Sequence, residues 1–286
     1  MKYLITGKNG QLAHAFIRRF ENESANFTAP EESRCDITNL NAVLDIVGSA
    51  RPDVIINCAA YNLVDKAEQE QEKAFAVNAT GPQHLAHAAK KFNAFLVHFG
   101  TDYVFDGLKQ DGLYVEDDAV HPLNGYGKSK LAGEQFVRET IDSFLILRLS
   151  WVFGEGTQNF IHKLLEWSKQ NEYLKIACDE FSVPTHTGAI VDITLKALER
   201  NLTGLYHLTN RGFCSRYEWA KFILRSLGIQ KFIRPVSMDT FDLPARRPKF
   251  SAMTGDRLAG LLDIDIPTWE EGVATFLREG KFVHER

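Results

Sequence analysis

Short, almost wholly apolar runs alternate with stretches of helical period through the first half of the chain. Residues 2–5 read as a strand entering a turn with two glycines, and residues 11–22 as a helix with Leu12, Phe16, Ile17 and Phe20 on one face. A weak strand is expected at 25–28 and a helix at 39–47, with buried strands at 53–57, 94–98 and 144–148. Further helices are expected over 68–91 and 127–138. Apolar strands separated by helices predict a parallel sheet covered on both faces.

The second half is less regular. Helical period recurs at 159–169, 188–199, 217–227 and 268–278, with short strands near 174–177 and 205–208. Residues 241–249 hold Pro244, Pro248 and the pair Arg246–Arg247, which predicts a loop. The expected partition is a nucleotide-binding lobe over 1–150 and a substrate lobe built mainly from 151–286, with segments near 186–210 returning to the first.

Composition narrows the function classes rather than the fold. With 286 residues, 44% hydrophobic and 24% charged, the chain reads as an ordinary folded protein. Its net charge of −4 comes without a basic block, so neither nucleic acid nor an anionic membrane surface is an expected partner. No apolar run approaches membrane-spanning length, and the opening residues lack secretory-signal features, so the expected location is the cytoplasm. Cys35, Cys58, Cys178 and Cys214 match no zinc or disulfide spacing and are expected as free thiols.

Candidate chemistry begins at Thr6-Gly7-Lys8-Asn9-Gly10-Gln11-Leu12-Ala13, between the first strand and helix. Glycines such as Gly7 and Gly10 let the backbone approach a pyrophosphate, and the helix N-terminus then points at the anion. The spacing departs from G-x-G-x-x-G, and such a turn also occurs for purely structural reasons. Asp36 and Ile37 follow the second strand, where a carboxylate or backbone group would face an adenine; Asp36 equally suits a helix cap.

Tyr126 and Lys130 are four residues apart, on one face of a helix. A phenol of pKa ~10 is a poor proton donor near neutrality. A neighbouring ammonium stabilises the phenolate, so a paired phenol can cycle as a general acid. Tyr217 and Lys221 repeat the spacing in an amphipathic stretch far from the glycine turn, and read as a structural helix. Tyr126 comes soon after the fourth strand, where a parallel sheet opens a crevice at its carboxyl end. Thr101, beside that strand's end, either holds a substrate carbonyl or caps local backbone. Trp151 reads equally as core or as pocket wall.

Taken together, T-G-K-N-G-Q-L-A, N-C-A-A-Y-N-L-V-D-K-A-E, G-T-D-Y-V-F-D-G, Y-G-K-S-K-L-A-G-E, R-L-S-W-V-F-G and R-R-P-K-F-S resemble the dTDP-4-dehydrorhamnose reductase family, a group of extended short-chain dehydrogenases/reductases. The motifs span nearly the whole chain in the family's order. The resemblance implies a Rossmann-type doubly wound parallel α/β sheet with a smaller, mixed α/β substrate-binding lobe. It implies NAD(P)H-dependent reduction of the C4 ketone of dTDP-4-dehydro-L-rhamnose to dTDP-L-rhamnose, with Thr101, Tyr126 and Lys130 as the catalytic trio and Tyr126 as general acid. Gly10, Gln11, Leu12, Asp36, Ile37, Ala60, Tyr61 and Asn62 fall where the family holds its dinucleotide, alongside Tyr126 and Lys130. Val64, Asp102, Tyr103 and Trp151 match positions lining the sugar pocket with Thr101, residues 181–185 the segment closing over the nicotinamide, and Arg247 an arginine near the nucleotide diphosphate.

Several positions depart from that pattern. Gly100 stands where serine is usual, so a polar contact beside Thr101 is expected to be missing; Asn62 replaces threonine, and Ala13 the third glycine. Ala15 occupies the place of an acidic residue that helps some members hold magnesium in a dimer, so no metal site is expected and a homodimer is left open. Glu31 and Glu32 favour NADH, whereas Arg34, Lys8 and the family's habit favour NADPH; NADPH is expected, with NADH also accepted. The rival readings are a related nucleotide-sugar dehydratase or epimerase, and a non-catalytic regulatory subunit. Tyr103 after Asp102 removes the second acid a dehydratase needs, and retention of Thr101, Tyr126 and Lys130 weighs against a non-catalytic role.

Overall fold

A computed structural model of the chain describes residues 1–280; residues 281–286 of the expected second lobe lie outside the described residues. The first half runs β1 (Lys2–Thr6), α1 (Gln11–Asn22), β2 (Asn26–Thr28), α2 (Leu40–Ala50), β3 (Val54–Asn57), α3 (Gln71–Phe75), α4 (Gly81–Phe92), β4 (Phe95–Thr101), α5 (Gly125–Thr140) and β5 (Phe144–Leu149). The second half runs β6 (Val152–Phe153), α6 (Phe160–Gln170), β7 (Leu174–Ala177), β8 (Phe181–Ser182), β9 (Thr185–His186), α7 (Thr187–Glu199), β10 (Gly204–His207), β11 (Cys214–Ser215), α8 (Arg216–Ser226), β12 (Ile233–Val236), α9 (Asp256–Leu262) and α10 (Trp269–Glu279).

The main sheet has the order β10-β5-β4-β3-β1-β2, with every neighbouring pair parallel. This is the doubly wound α/β sheet expected from apolar strands alternating with helices. Successive side chains of a strand face opposite ways, so Ile5, Ile56 and Val97 join one core with α1 and α7, while Leu4, Ile55 and Leu96 join another with α2 and α4. Strand β10 lies beside β5, so the chain returns to this sheet after leaving it at residue 149. A separate core gathers Trp151, Phe153, Trp219, Trp269 and Phe276 in the second half. Helix α9 was not foreseen, and contributes Leu258 and Leu262 to the α1–α7 side.

The single helix expected over 68–91 is broken. A 3₁₀ turn at Lys66–Glu68 and the short α3 precede a π-turn at Ala76–Thr80, and α4 follows. Pro82 explains the break: it has no N–H for the Asn78 carbonyl, and its ring crowds that carbonyl, so the chain widens by one residue. The displaced carbonyl points at α5, where a Cβ at Gly133 would collide with it. Glycine there brings α5, with Tyr126 and Lys130, close against the π-turn.

Candidate active site

The carboxyl ends of β1 and β3 are tied by side chains to the middle of β4. Thr6 Oγ1 donates to Asn57 Oδ1 at 2.7 Å, and Asn57 Nδ2 meets His98 Nδ1 at 3.1 Å. Asn57 Oδ1 also accepts from Ala59 N at 3.2 Å, which sets the turn leaving β3. Further along, Asn78 from the π-turn accepts from Tyr61 N at 2.8 Å and donates to Tyr61 O at 3.0 Å. The stretch from Ala59 to Asn62 is thereby held at both ends.

Helix α5 presents the candidate acid. Asn124 caps it by accepting from Gly127 N at 2.8 Å, and donates to Arg246 O at 2.7 Å in the loop of the second half. Tyr126 and Lys130 follow on one face, with the Tyr126 hydroxyl 3.5 Å from Asn62 Oδ1 and its ring edge-on to Tyr103. Burial pushes the Tyr126 phenol up to about 12, the Thr101 hydroxyl pulling it back and Asp102 adding to the rise. The phenol is therefore protonated at neutral pH, the state a proton donor needs. Lys130 is 3% exposed, and its Nζ donates to Phe99 O at 2.5 Å. Burial draws Lys130 down to about 8, against the opposing pull of Glu134.

These groups share a cavity of about 270 Å³ whose wall includes Gly10, Gln11, Leu12, Ala60, Asn62, Val64, Thr101, Tyr103, Tyr126, Lys130 and Trp151. Trp151, Val152 and Gln158 also line a second cavity of about 840 Å³, toward Arg216, Trp219 and Arg247. The two spaces adjoin at Trp151. Its backbone sits at φ 38°, a left-handed conformation that bulky residues rarely adopt. The ring lies against Trp219, with the Arg216 guanidinium 3.5 Å from its centroid. Among the described residues, no three His, Cys, Asp or Glu side chains gather to hold a metal ion, and no helix is long and apolar enough to cross a membrane.

The family model described as the RmlD substrate binding domain matches residues 1–282. The dTDP-4-dehydrorhamnose reductase of Aggregatibacter actinomycetemcomitans is 36% identical over 285 residues, covering 95% of this chain and 97% of its own. The chain belongs to the dTDP-4-dehydrorhamnose reductase family. Two solved reductases of that family superpose closely. That of Clostridium acetobutylicum has a TM-score of 0.94 at 35% identity, covering 98% of this chain and 100% of its own. That of Bacillus anthracis, in complex with NADP, has a TM-score of 0.93 at 35% identity, covering 97% and 99%.

Several residues singled out in this reductase have partners the sequence did not reveal. Asp36 accepts from Thr38 N at 2.9 Å and Thr38 Oγ1 at 2.7 Å, shaping the turn before α2. Ile37 packs its side chain into the core, and its carbonyl meets His84 Nδ1 at 3.0 Å. Arg247 pairs with Asp65 through two contacts, at 3.0 and 2.7 Å. Burial works to raise Asp65, but the guanidinium outweighs it and holds the carboxyl below its ordinary range. The space beside Thr101 left by Gly100 is not vacant: a Cβ there would strike Glu134 Oε1. Glu134 and Arg148 form a buried ion pair at 2.8 Å directly behind that position. Glu134 and Asn78 escaped sequence reasoning, as did Ser150 and Ser251, which donate to Asp102 Oδ2 at 3.2 and 2.6 Å. The K-L-A-G-E run carried one usable signal, since Glu134 stands four residues beyond Lys130.

Proposed function

We propose that this reductase reduces the C4 ketone of dTDP-4-dehydro-L-rhamnose to dTDP-L-rhamnose with NADPH, NADH serving as a second donor. The carrying observation is the placement of the protonated Tyr126 phenol, the Thr101 hydroxyl and Lys130 in one cavity that opens beside the glycine turn.

The turn fits a dinucleotide. Gly7 has φ +70°, and a Cβ there would come within 2.5 Å of Ala59 N, so glycine lets the turn lie directly against the chain leaving β3. Gly10 caps α1 without a side chain, which leaves the first N–H groups of that helix for an anion. Gln11 Oε1 is buried without a hydrogen-bond partner, an acceptor suited to a ligand hydroxyl or amide. We assign the cofactor to Gly7, Gly10, Gln11, Leu12, the backbone at Asp36 and Ile37, and the stretch Ala60, Tyr61 and Asn62, with Tyr126 and Lys130 at the reacting end. Residues 1–150, with the segments near 186–210 that return to them, then form the cofactor lobe, and the described remainder of the second half mainly the sugar-nucleotide lobe.

When bound, NADPH supplies the hydride that C4 receives. Thr101 holds the ketone oxygen by its hydroxyl, with Val64, Asp102 and Tyr103, which line the same cavity, flanking the sugar. As C4 accepts the electron pair, the C=O double bond becomes a single bond, and Tyr126 gives its proton to the oxygen. Lys130 lowers the cost of the phenolate left behind, and solvent returns the proton. Trp151 and Arg247 face the larger cavity, where the nucleotide would lie.

Absorbance at 340 nm with the purified chain, the keto sugar nucleotide and either cofactor tests this reading. Stoichiometric loss of NADPH is expected. Sugar conversion without net cofactor loss would instead mark an epimerase or dehydratase.

A further inference from the structure

Trp151 lines both the active-site cavity and the larger one beside it, and Arg216, the first residue of α8, lies on its ring. The guanidinium carbon is 3.5 Å from the Trp151 centroid and 5.2 Å from that of Phe160. Arg216 Nε donates to Glu180 Oε2 at 3.2 Å, and its backbone N–H donates to the Glu180 carbonyl at 3.2 Å. The side chain is thus pinned along one edge and against one ring. Its terminal Nη1 and Nη2 have no hydrogen-bond partner among the described residues, and the side chain keeps 20% of its surface open. Arg247 differs: both of its terminal nitrogens donate to Asp65, and Nη1 also to the Ala245 carbonyl.

We propose that Arg216 is a specificity-determining residue that holds the β-phosphate of the sugar nucleotide, the phosphate bonded to the sugar, through its free terminal nitrogens. The inference rests on the reductase reading and deepens it. In a pyranose, C1 stands across the ring from C4. With C4 at Tyr126, the phosphate on C1 leaves the active-site cavity on the side away from the phenol. The two cavities adjoin at Trp151, so that phosphate passes the ring on which Arg216 lies. Charge agrees with this path. The wall of the larger cavity carries Lys163, Lys175, Arg216 and Arg247 against Glu172 and Glu180, a net of +2 in a chain whose total is −4. Counting Asp65 behind Arg247 leaves +1. Lys163 and Lys175 are exposed, and an exposed ammonium is a mobile point charge. Arg216 is already ordered by a ring and a carboxylate, so less freedom is lost when its planar fork meets a phosphate. Burial raises the Tyr103 phenol, Glu180 adds to the rise, and Arg216 and Arg247 oppose it; both cations therefore reach the sugar end.

Titration calorimetry with dTDP and with dTMP separates the β-phosphate from the rest of the nucleotide. Two variants are needed, since Arg216→Gln alone leaves the Glu180 carboxylate, 7% exposed, without its cation. Arg216→Gln combined with Glu180→Gln replaces the ion pair by a neutral one. In both, Kd for dTDP should rise roughly 10- to 100-fold, the worth of hydrogen bonds to a charged group, while Kd for dTMP moves by less than about threefold. KM for the keto sugar nucleotide should rise with kcat nearly kept, because the contact is made equally before and during hydride transfer. Wild-type NADPH consumption is scored separately: a chain that shows this binding pattern but oxidises no NADPH loses the reductase reading and keeps Arg216 as a diphosphate ligand. The proposal is overturned if wild type binds dTDP no better than dTMP, or if Arg216→Gln binds dTDP as wild type does. Equal weakening of dTDP and dTMP would also overturn it, marking a collapsed cavity. So would recovery of dTDP affinity in the paired variant, which would assign the loss to the unpaired Glu180 charge rather than to the missing fork.

Discussion

The Lys8 ammonium closes on the Glu31 carboxylate at 2.5 Å, across the mouth of the glycine turn. Lys8 draws Glu31 below its ordinary range by hydrogen bond and charge. Both side chains are solvent-exposed, and exposed pairs add little to stability, so a phosphate dianion can take the ammonium from the carboxylate. Arg34, exposed in the adjoining 3₁₀ turn, has no ion-pair partner among the described residues.

Cofactor choice should follow from that exchange. Arg34→Ala should raise KM for NADPH about tenfold, the loss of one charge-assisted contact, and leave NADH nearly unchanged. Glu31→Gln should shift preference further toward NADPH by freeing Lys8. Parallel KM determinations with both cofactors check this; equal effects of Arg34→Ala on the two would place phosphate recognition elsewhere.

Removal of the phenol is the most direct test of proton donation. Tyr126→Phe should lower kcat by ~10²–10⁴-fold, the usual worth of general acid catalysis, while NADPH affinity by fluorescence titration stays near wild type. Tyr217→Phe, on α8, should keep full activity: its spacing to Lys221 repeats the pattern, but neither residue lines the active-site cavity. Comparable losses in the two variants would refute the assignment.

The pH profile should carry the signature of Lys130. Tyr126, at about 12, stays protonated through the neutral range, whereas Lys130, at about 8, loses its charge first as pH rises. Losing that charge removes the stabilisation of the phenolate, so kcat/KM for the cofactor should fall with a midpoint near 8. Lys130→Met should be slow at every pH and lack this limb. A limb that persists in Lys130→Met would exclude Lys130 as its source.

Trp151 is both core and wall. It packs at 5.6 Å on Trp219, and it lines both cavities. Trp151→Ala should therefore cost ~3–5 kcal/mol of stability, the range for truncating a buried aromatic, and also raise KM for the sugar nucleotide. Thermal unfolding and kinetics on one preparation check both halves; a stability loss with unchanged KM would leave a core role alone.

The parts of the fold that the sequence displays are those with local causes. Helix α1 begins and ends where its period and the glycine turn place it, and β7 matches its apolar run to the residue. Strands β6, β8, β9 and β11 have two residues each, too short for any alternation to register. The π-turn needed Pro82 to be weighed against a helix that otherwise reads as continuous. At the site, Tyr126 and Lys130 are visible because one helical turn separates them. Asp102 and Ser251 are 149 residues apart, and only the folded chain brings them together.

The parallel pairing of β10 with β5 makes the two halves inseparable as modules. A fragment cut after residue 150 would expose the edge of Phe144–Leu149, an apolar strand of six residues buried along nearly its whole length. Such an unpaired edge invites association with other chains. Transplanting the sugar-nucleotide half onto another cofactor lobe would therefore have to carry α7 and β10 with it, and any such chimera that omits them should be recovered as aggregate.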